Sequence, residues 1–149
     1  MTYTGQVPTD LRTAELTSAL RIAVMRTARR LRAERSDASL SLGSLAALGA
    51  LDRHGPLTPG ELADHERVQP PSMTRTLAAL EAAGLVTRTP HPTDGRQVLM
   101  STTPAARAML RADRRRRDEW LAVRLTALTP DELATLDAAS AILDRISRS

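Results

Sequence analysis

Ser72, Thr74 and Arg75 stand together just after Pro70-Pro71, at the start of a segment that carries Met73, Leu77 and Leu80 at helical spacing. The apolar residues hold such a helix to its own protein, which leaves the opposite face to the polar ones, Thr76 among them. Two small hydroxyls and a forked guanidinium, with Pro71 beside them in the first turn, are donors suited to base edges and phosphate oxygens. Taken alone, the same residues also fit a solvated first turn of a packed helix. A second group lies at Asp94-Gly95-Arg96, where a guanidinium just beyond a protruding turn can enter a minor groove. Asp94 is expected to orient Arg96 through an ion pair; an exposed pair is worth only about 0–1 kcal/mol, so its value lies in positioning. Arg88, eight residues before Arg96, either touches a phosphate or is a solvated strand arginine.

The elements that must position these groups follow from local signals. Apolar residues at Leu16, Leu20, Ala23, Val24, Ala28 and Leu31 predict a long amphipathic helix from about residue 10 to 33, and a second runs from about Leu42 to Arg53, stopped by His54-Gly55-Pro56. At Leu57-Thr58-Pro59-Gly60-Glu61-Leu62, Thr58 caps, Pro59 takes the first helical position, Glu61 reaches back, and Leu57 staples onto Leu62. The same device returns at Leu128-Thr129-Pro130-Asp131-Glu132-Leu133 and announces the last helix. The fourth helix ends at Gly84, suited to a left-handed cap. Beyond it, Leu85-Val86-Thr87-Arg88-Thr89 and Arg96-Gln97-Val98-Leu99-Met100-Ser101 flank a turn-rich stretch and read as a β-hairpin, with Asp94-Gly95 expected to supply positive-φ turn residues. A fifth helix starts at Thr103-Pro104 and runs to about Leu128. Helix, turn, helix and hairpin in that order predict a mainly α (α+β) fold, a winged helix-turn-helix with long N- and C-terminal helices.

The 149 residues suffice for one ordinary domain, and no apolar run reaches the roughly 20 residues of a membrane span. No basic-then-apolar leader opens the sequence, so a cytoplasmic location is expected. Cysteine is absent, which excludes disulfides, thiolate metal sites and thiol redox sensing. The net charge of +4 comes with 21 basic residues that are all arginine. A GC-rich coding bias accounts for that, although each arginine keeps the fork suited to phosphate and guanine. Between Gly55 and Met100 the balance is −1, four Arg against five Asp and Glu, so the excess lies in the flanking helices. The three histidines, His54, His65 and His91, show no ligand spacing, and no metal or other cofactor is expected. Without a glycine-rich phosphate loop or a nucleophile motif, and with carboxylates expected to scatter over exposed helix faces instead of pairing, the chain is not expected to be an enzyme. Arg114-Arg115-Arg116-Arg117 points around most of a helix and is expected to be solvated, with local ion pairs.

Leu57-Thr58-Pro59-Gly60-Glu61-Leu62-Ala63, Pro71-Ser72-Met73-Thr74-Arg75, Leu77-Ala78-Ala79-Leu80-Glu81-Ala82-Ala83-Gly84-Leu85-Val86 and Asp94-Gly95-Arg96 together resemble the MarR family of bacterial regulators. The resemblance covers nearly the whole chain. It implies a single MarR-like domain over residues 1–149, with a winged lobe at 42–102 and dimerisation helices at 10–35 and 103–148. It further implies an obligate homodimer on a pseudo-palindromic operator in duplex DNA, acting as a repressor, with Ser72, Thr74 and Arg75 matching the family's recognition-helix contacts and Arg96 its wing arginine. Where such proteins commonly have Asp-Arg-Arg in the wing, this chain keeps only the final arginine. The apolar residues expected between the protomers are Leu11, Leu16, Trp120, Leu121, Leu125, Leu133, Leu136, Ile142 and Ile146. The resemblance also implies release from DNA by a small anionic effector, although a chain with no Phe, one Tyr and one Trp is poorly equipped to stack an aromatic ring. A pocket of Leu, Met and Arg suits a lipophilic anion instead. The alternative reading is a winged-helix module for protein–protein association, supported by the −1 balance of the winged segment.

Overall fold

The structure is a computed structural model that describes residues 11–148, with the side chains of Leu11 and Arg12 outside the described part. Its elements are α1 (Leu11–Ala33), α2 (Leu42–His54), α3 (Pro59–Glu66), α4 (Pro70–Ala82), β1 (Val86–Pro90), β2 (Val98–Thr102), α5 (Pro104–Leu125) and α6 (Pro130–Ser147). They form two compact units, one of residues 35–118 and one of the stretches on either side, with α5 continuing from the first into the second.

The unit of residues 35–118 is built around one core. Ala47, Leu48, Ala50 and Leu51 of α2 meet Leu62 and Ala63 of α3, Met73, Leu77 and Leu80 of α4, Val86 and Met100 of the hairpin, and Ala106 of α5, all buried. Capping sets where these helices begin. Ser41 Oγ accepts the N–H of Ser44 at 3.0 Å to open α2. Thr58 and Glu61 form the expected reciprocal box at α3: the Thr58 N–H donates to Glu61 Oε2 (2.8 Å) and the Glu61 N–H to Thr58 Oγ1 (3.2 Å). Those bonds, the backbone one first and the Thr58 hydroxyl next, hold the Glu61 carboxyl below its ordinary range against a smaller opposing effect of desolvation; His91 and His65 lower it further.

Gly84 takes φ +71° and the Leu85 N–H returns to Leu80 O at 2.9 Å, the left-handed stop expected for α4. Between α3 and α4 the tight turn depends on Arg67 at φ 52°, a left-handed non-glycine residue whose N–H bonds Ala63 O and Asp64 O. β1 and β2 pair antiparallel from Val86↔Thr102 to Pro90↔Val98. Leu57 packs against the core and exchanges both backbone bonds with Met100 (3.2 and 2.8 Å), adding a one-residue third strand.

In the other unit, α5 ends at Leu125, a turn earlier than the sequence suggests. Its last N–H groups tighten onto carbonyls three residues back, from Ala127 to Arg124 and from Leu128 to Leu125. That frees Thr129 to cap α6 with Glu132 in the same reciprocal box (2.8 and 3.2 Å). Trp120 is half-buried, with the Arg124 guanidinium 3.6 Å and that of Arg30 5.7 Å from its ring centroid. No helix among the described residues is long and apolar enough to cross a membrane.

Candidate nucleic-acid interface

The first turn of α4 presents a narrow set of groups. Met73, Leu77 and Leu80 are buried, so Pro71, Ser72, Thr74 and Arg75 are turned outward and all four are exposed. Pro70 and Pro71 have no N–H, and the Ser72 N–H is taken by Gln69 O at 2.9 Å. Most of the backbone donors that a helix N-terminus offers an anion are therefore missing. Hydrogen bonding at this end falls to side chains. The Thr74 hydroxyl donates to Pro70 O at 3.0 Å, which leaves its oxygen free to accept, whereas the Arg75 guanidinium makes no ion pair among the described residues.

The hairpin loop is organised differently from the expectation. Neither Asp94 nor Gly95 has positive φ. The loop spans residues 91–97, too long to need a two-residue primed turn. Instead the Gln97 N–H donates to Asp94 O (3.0 Å), while Asp94 Oδ1 accepts the Arg96 N–H (3.0 Å) and Oδ2 the Gln97 amide (3.1 Å). Asp94 thus fixes the backbone of Arg96 where an ion pair to its guanidinium was expected, and the Arg96 side chain is exposed. One turn earlier, His91 Nδ1 accepts the N–H groups of Thr93 (3.3 Å) and Asp94 (3.2 Å), and the His91 N–H closes the loop on Gln97 O (3.1 Å). Arg88 bonds Glu81 of α4 at 3.0 Å, tying hairpin to helix.

Two features escaped sequence reading. Asp113, from a set of carboxylates expected on exposed faces, is 1% exposed: its Oδ1 accepts both the N–H and the hydroxyl of Ser36 at 2.6 Å, and Oδ2 lies 3.9 Å from Arg117. The arginine run is likewise not uniformly solvated. Arg114 lies 3.7 Å from Asp52, and Arg114, Arg117, Arg53, Asp52, Leu45, Gly49 and Leu110 line a cavity of about 360 Å³ between α2 and α5. Positions 114 and 117 share a helix face, which the spacing alone already contains. In the other unit, Leu16, Leu121, Leu133, Leu136, Ile142 and Ile146 are exposed, Leu125 and Trp120 half-buried; the Leu11 side chain lies outside the described residues. His54 and His65 stack at 4.6 Å, and among the described residues no group of three His, Cys, Asp or Glu is placed to hold a metal.

Known proteins repeat this arrangement. An uncharacterized HTH-type transcriptional regulator of Mycobacterium leprae is 48% identical over 137 residues, 91% of this chain and 96% of its own. A crystal structure of a Pseudomonas aeruginosa protein assigned as a transcriptional regulator superposes with a TM-score of 0.84 at 33% identity, covering 94% of this chain and 99% of that one. A mutant of S. aureus MepR bound to an oligodeoxyribonucleotide shares the fold, with a TM-score of 0.70 at 18% identity over 87% of this chain and 96% of its own. Residues 40–98, from the start of α2 to the start of β2, match the MarR family. The chain belongs to the MarR family of winged helix-turn-helix transcriptional regulators.

Proposed function

We propose that the protein is a homodimeric repressor that places α4 of each protomer in successive major grooves of a pseudo-palindromic operator, about one DNA turn apart, with each wing over the flanking minor groove. The observation that carries this reading is the two-sidedness of α4: one face locked in the core, the other offering exposed Ser72, Thr74 and Arg75 at the end that would enter the groove. Arg75 is the base reader and Arg96 the minor-groove contact, with Arg88 of the hairpin tied to α4 through Glu81. Dimerisation is supported by the apolar surface of α1, α5 and α6, from Leu16 (63% exposed) to Ile146 (56%). Apolar exposure on that scale marks an interaction surface in a soluble protein. The DNA-bound relative supports the same use of the fold. For the effector, the cavity of about 360 Å³ between α2 and α5 joins Leu45 and Leu110 to three arginines, a lining suited to a lipophilic anion that would favour one conformation of the dimer over the DNA-bound one.

The test is electrophoretic mobility shift on the gene's own upstream DNA, with salt varied and an unrelated duplex as competitor. A specific shift of two protomers per site that weakens steeply with salt is expected. Arg75→Ala loses about 1–3 kcal/mol on the preferred site and relaxes specificity, whereas Arg96→Ala weakens binding evenly across sequences. A salt-insensitive protein that binds the competitor equally well would leave the fold serving protein–protein association.

A further inference from the structure

The wing contains a second device that the winged-helix reading does not require, and it rests on that reading. Asp94 closes the turn at Arg96 by the familiar side-chain route, its carboxylate accepting the N–H two residues on. Three residues earlier an imidazole does the same work: His91 Nδ1 takes the N–H groups two and three residues on, Thr93 at 3.3 Å and Asp94 at 3.2 Å, with the Thr93 hydroxyl at 3.4 Å. Pro92 between them has no N–H to compete. Two donors converging on one ring nitrogen require that nitrogen to be a lone-pair acceptor, so the proton of the neutral ring sits on Nε2. The two turns are in series: His91 sets the backbone of Asp94, and Asp94 sets the backbone of Arg96.

We propose that His91 is a positioning residue for DNA binding, a neutral Nε2–H imidazole that pre-orders the wing so that Arg96 meets the minor groove without paying for loop ordering on contact. Its effect is bounded by that of Arg96 itself, because it acts only through that side chain. The experiment pairs isosteres: Asn places an acceptor where Nδ1 stands, Gln where Nε2 stands. The probe is the tightest duplex recovered by selection from a random pool, with affinities measured for wild type, His91→Asn, His91→Gln, His91→Ala, Arg96→Ala and the His91→Ala/Arg96→Ala double variant. Expected are near-wild-type affinity for H91N, about fivefold weaker binding for H91Q and H91A, and a double variant no weaker than R96A alone. In the free protein, ¹⁵N spectra of the ring are expected to show an acceptor-type Nδ1 and a protonated Nε2. A protonated Nδ1, wild-type affinity for H91A beside a weakened R96A, or rescue by Gln as good as by Asn overturns the proposal while the wing contact stands. Wild-type affinity for R96A, or a selection that recovers no duplex, defeats the wing contact itself, and the role of His91 falls with it.

Discussion

The two units place their apolar residues in opposite ways. In the winged lobe Leu48, Leu62, Leu80 and Met100 are completely buried within a single chain, and every helix contributes to the core. In the other unit α6 has no buried residue at all, although its leucines and isoleucines recur at helical spacing as Met73, Leu77 and Leu80 do in α4. Periodicity is therefore common to both, and only one of them finds its partner within the chain. A lobe that completes its own core can present a rigid α4 and hairpin, while helices that leave Leu133, Leu136 and Ile142 exposed are suited to being completed by a second copy.

Substitutions at matched leucines make the sharpest test of this contrast. Leu80→Ala removes a fully buried side chain from the lobe and is expected to cost about 2–5 kcal/mol in chemical denaturation. Leu136→Asp, at a residue 46% exposed in one chain, is expected to cost a protomer no more than about 0.5 kcal/mol of helix propensity. It should nevertheless shift the mass in sedimentation equilibrium from two chains to one. If L136D still sediments as a dimer, this face is not the interface, and the contrast between the units needs another explanation. Next in size is Asp113→Ala, which removes the acceptor of both Ser36 bonds from a buried site and strips Arg117 of its nearby carboxylate. A loss of about 2–3 kcal/mol is expected, and Asp113→Asn, which keeps an acceptor for Ser36, is expected to recover part of it. Equal losses for the two variants would show that charge, not hydrogen bonding to Ser36, is what Asp113 supplies.

The features legible in the sequence are those whose causes lie within a few residues. Both Thr-Pro-x-Glu caps, the left-handed stop at Gly84 and the order of helix, turn, helix and hairpin are of this kind. The outward face of α4 was legible because its inward face was, through Met73, Leu77 and Leu80. What was missed depends on distant neighbours. Asp113 looks like any carboxylate in a charged helix until the segment after α1, 77 residues earlier, places the Ser36 N–H against it. The Leu57 bridge to Met100 joins residues on opposite sides of the helix-turn-helix. In the wing, Asp94-Gly95 carried a true turn signal for the wrong turn: the loop length decided the geometry, and His91, noticed only as a histidine without metal-ligand spacing, supplied the first half of it.

The paired caps give the finest comparison, because the same chemistry occurs once in each unit. Thr58 is 8% exposed and sits against the core, whereas Thr129 is exposed. Thr58→Ala is expected to cost about 1.5 kcal/mol and Thr129→Ala about 0.5 kcal/mol, the upper and lower parts of the range for lost N-caps; equal costs would mean that burial adds nothing to the cap. The lobe's box should also be visible in the pH dependence of stability. Glu61 is held below its ordinary value of 4.5 in the folded protein, mainly by the Thr58 N–H and hydroxyl, so its contribution is complete above pH 4.5. It is lost as the pH falls through the lower folded value, because the unfolded chain takes up the proton first. Denaturation midpoints measured from pH 7 down to 3 should therefore fall less steeply at the acid end for Glu61→Gln than for wild type. Parallel profiles would mean that the reciprocal bond at α3 does not depend on the charge of Glu61.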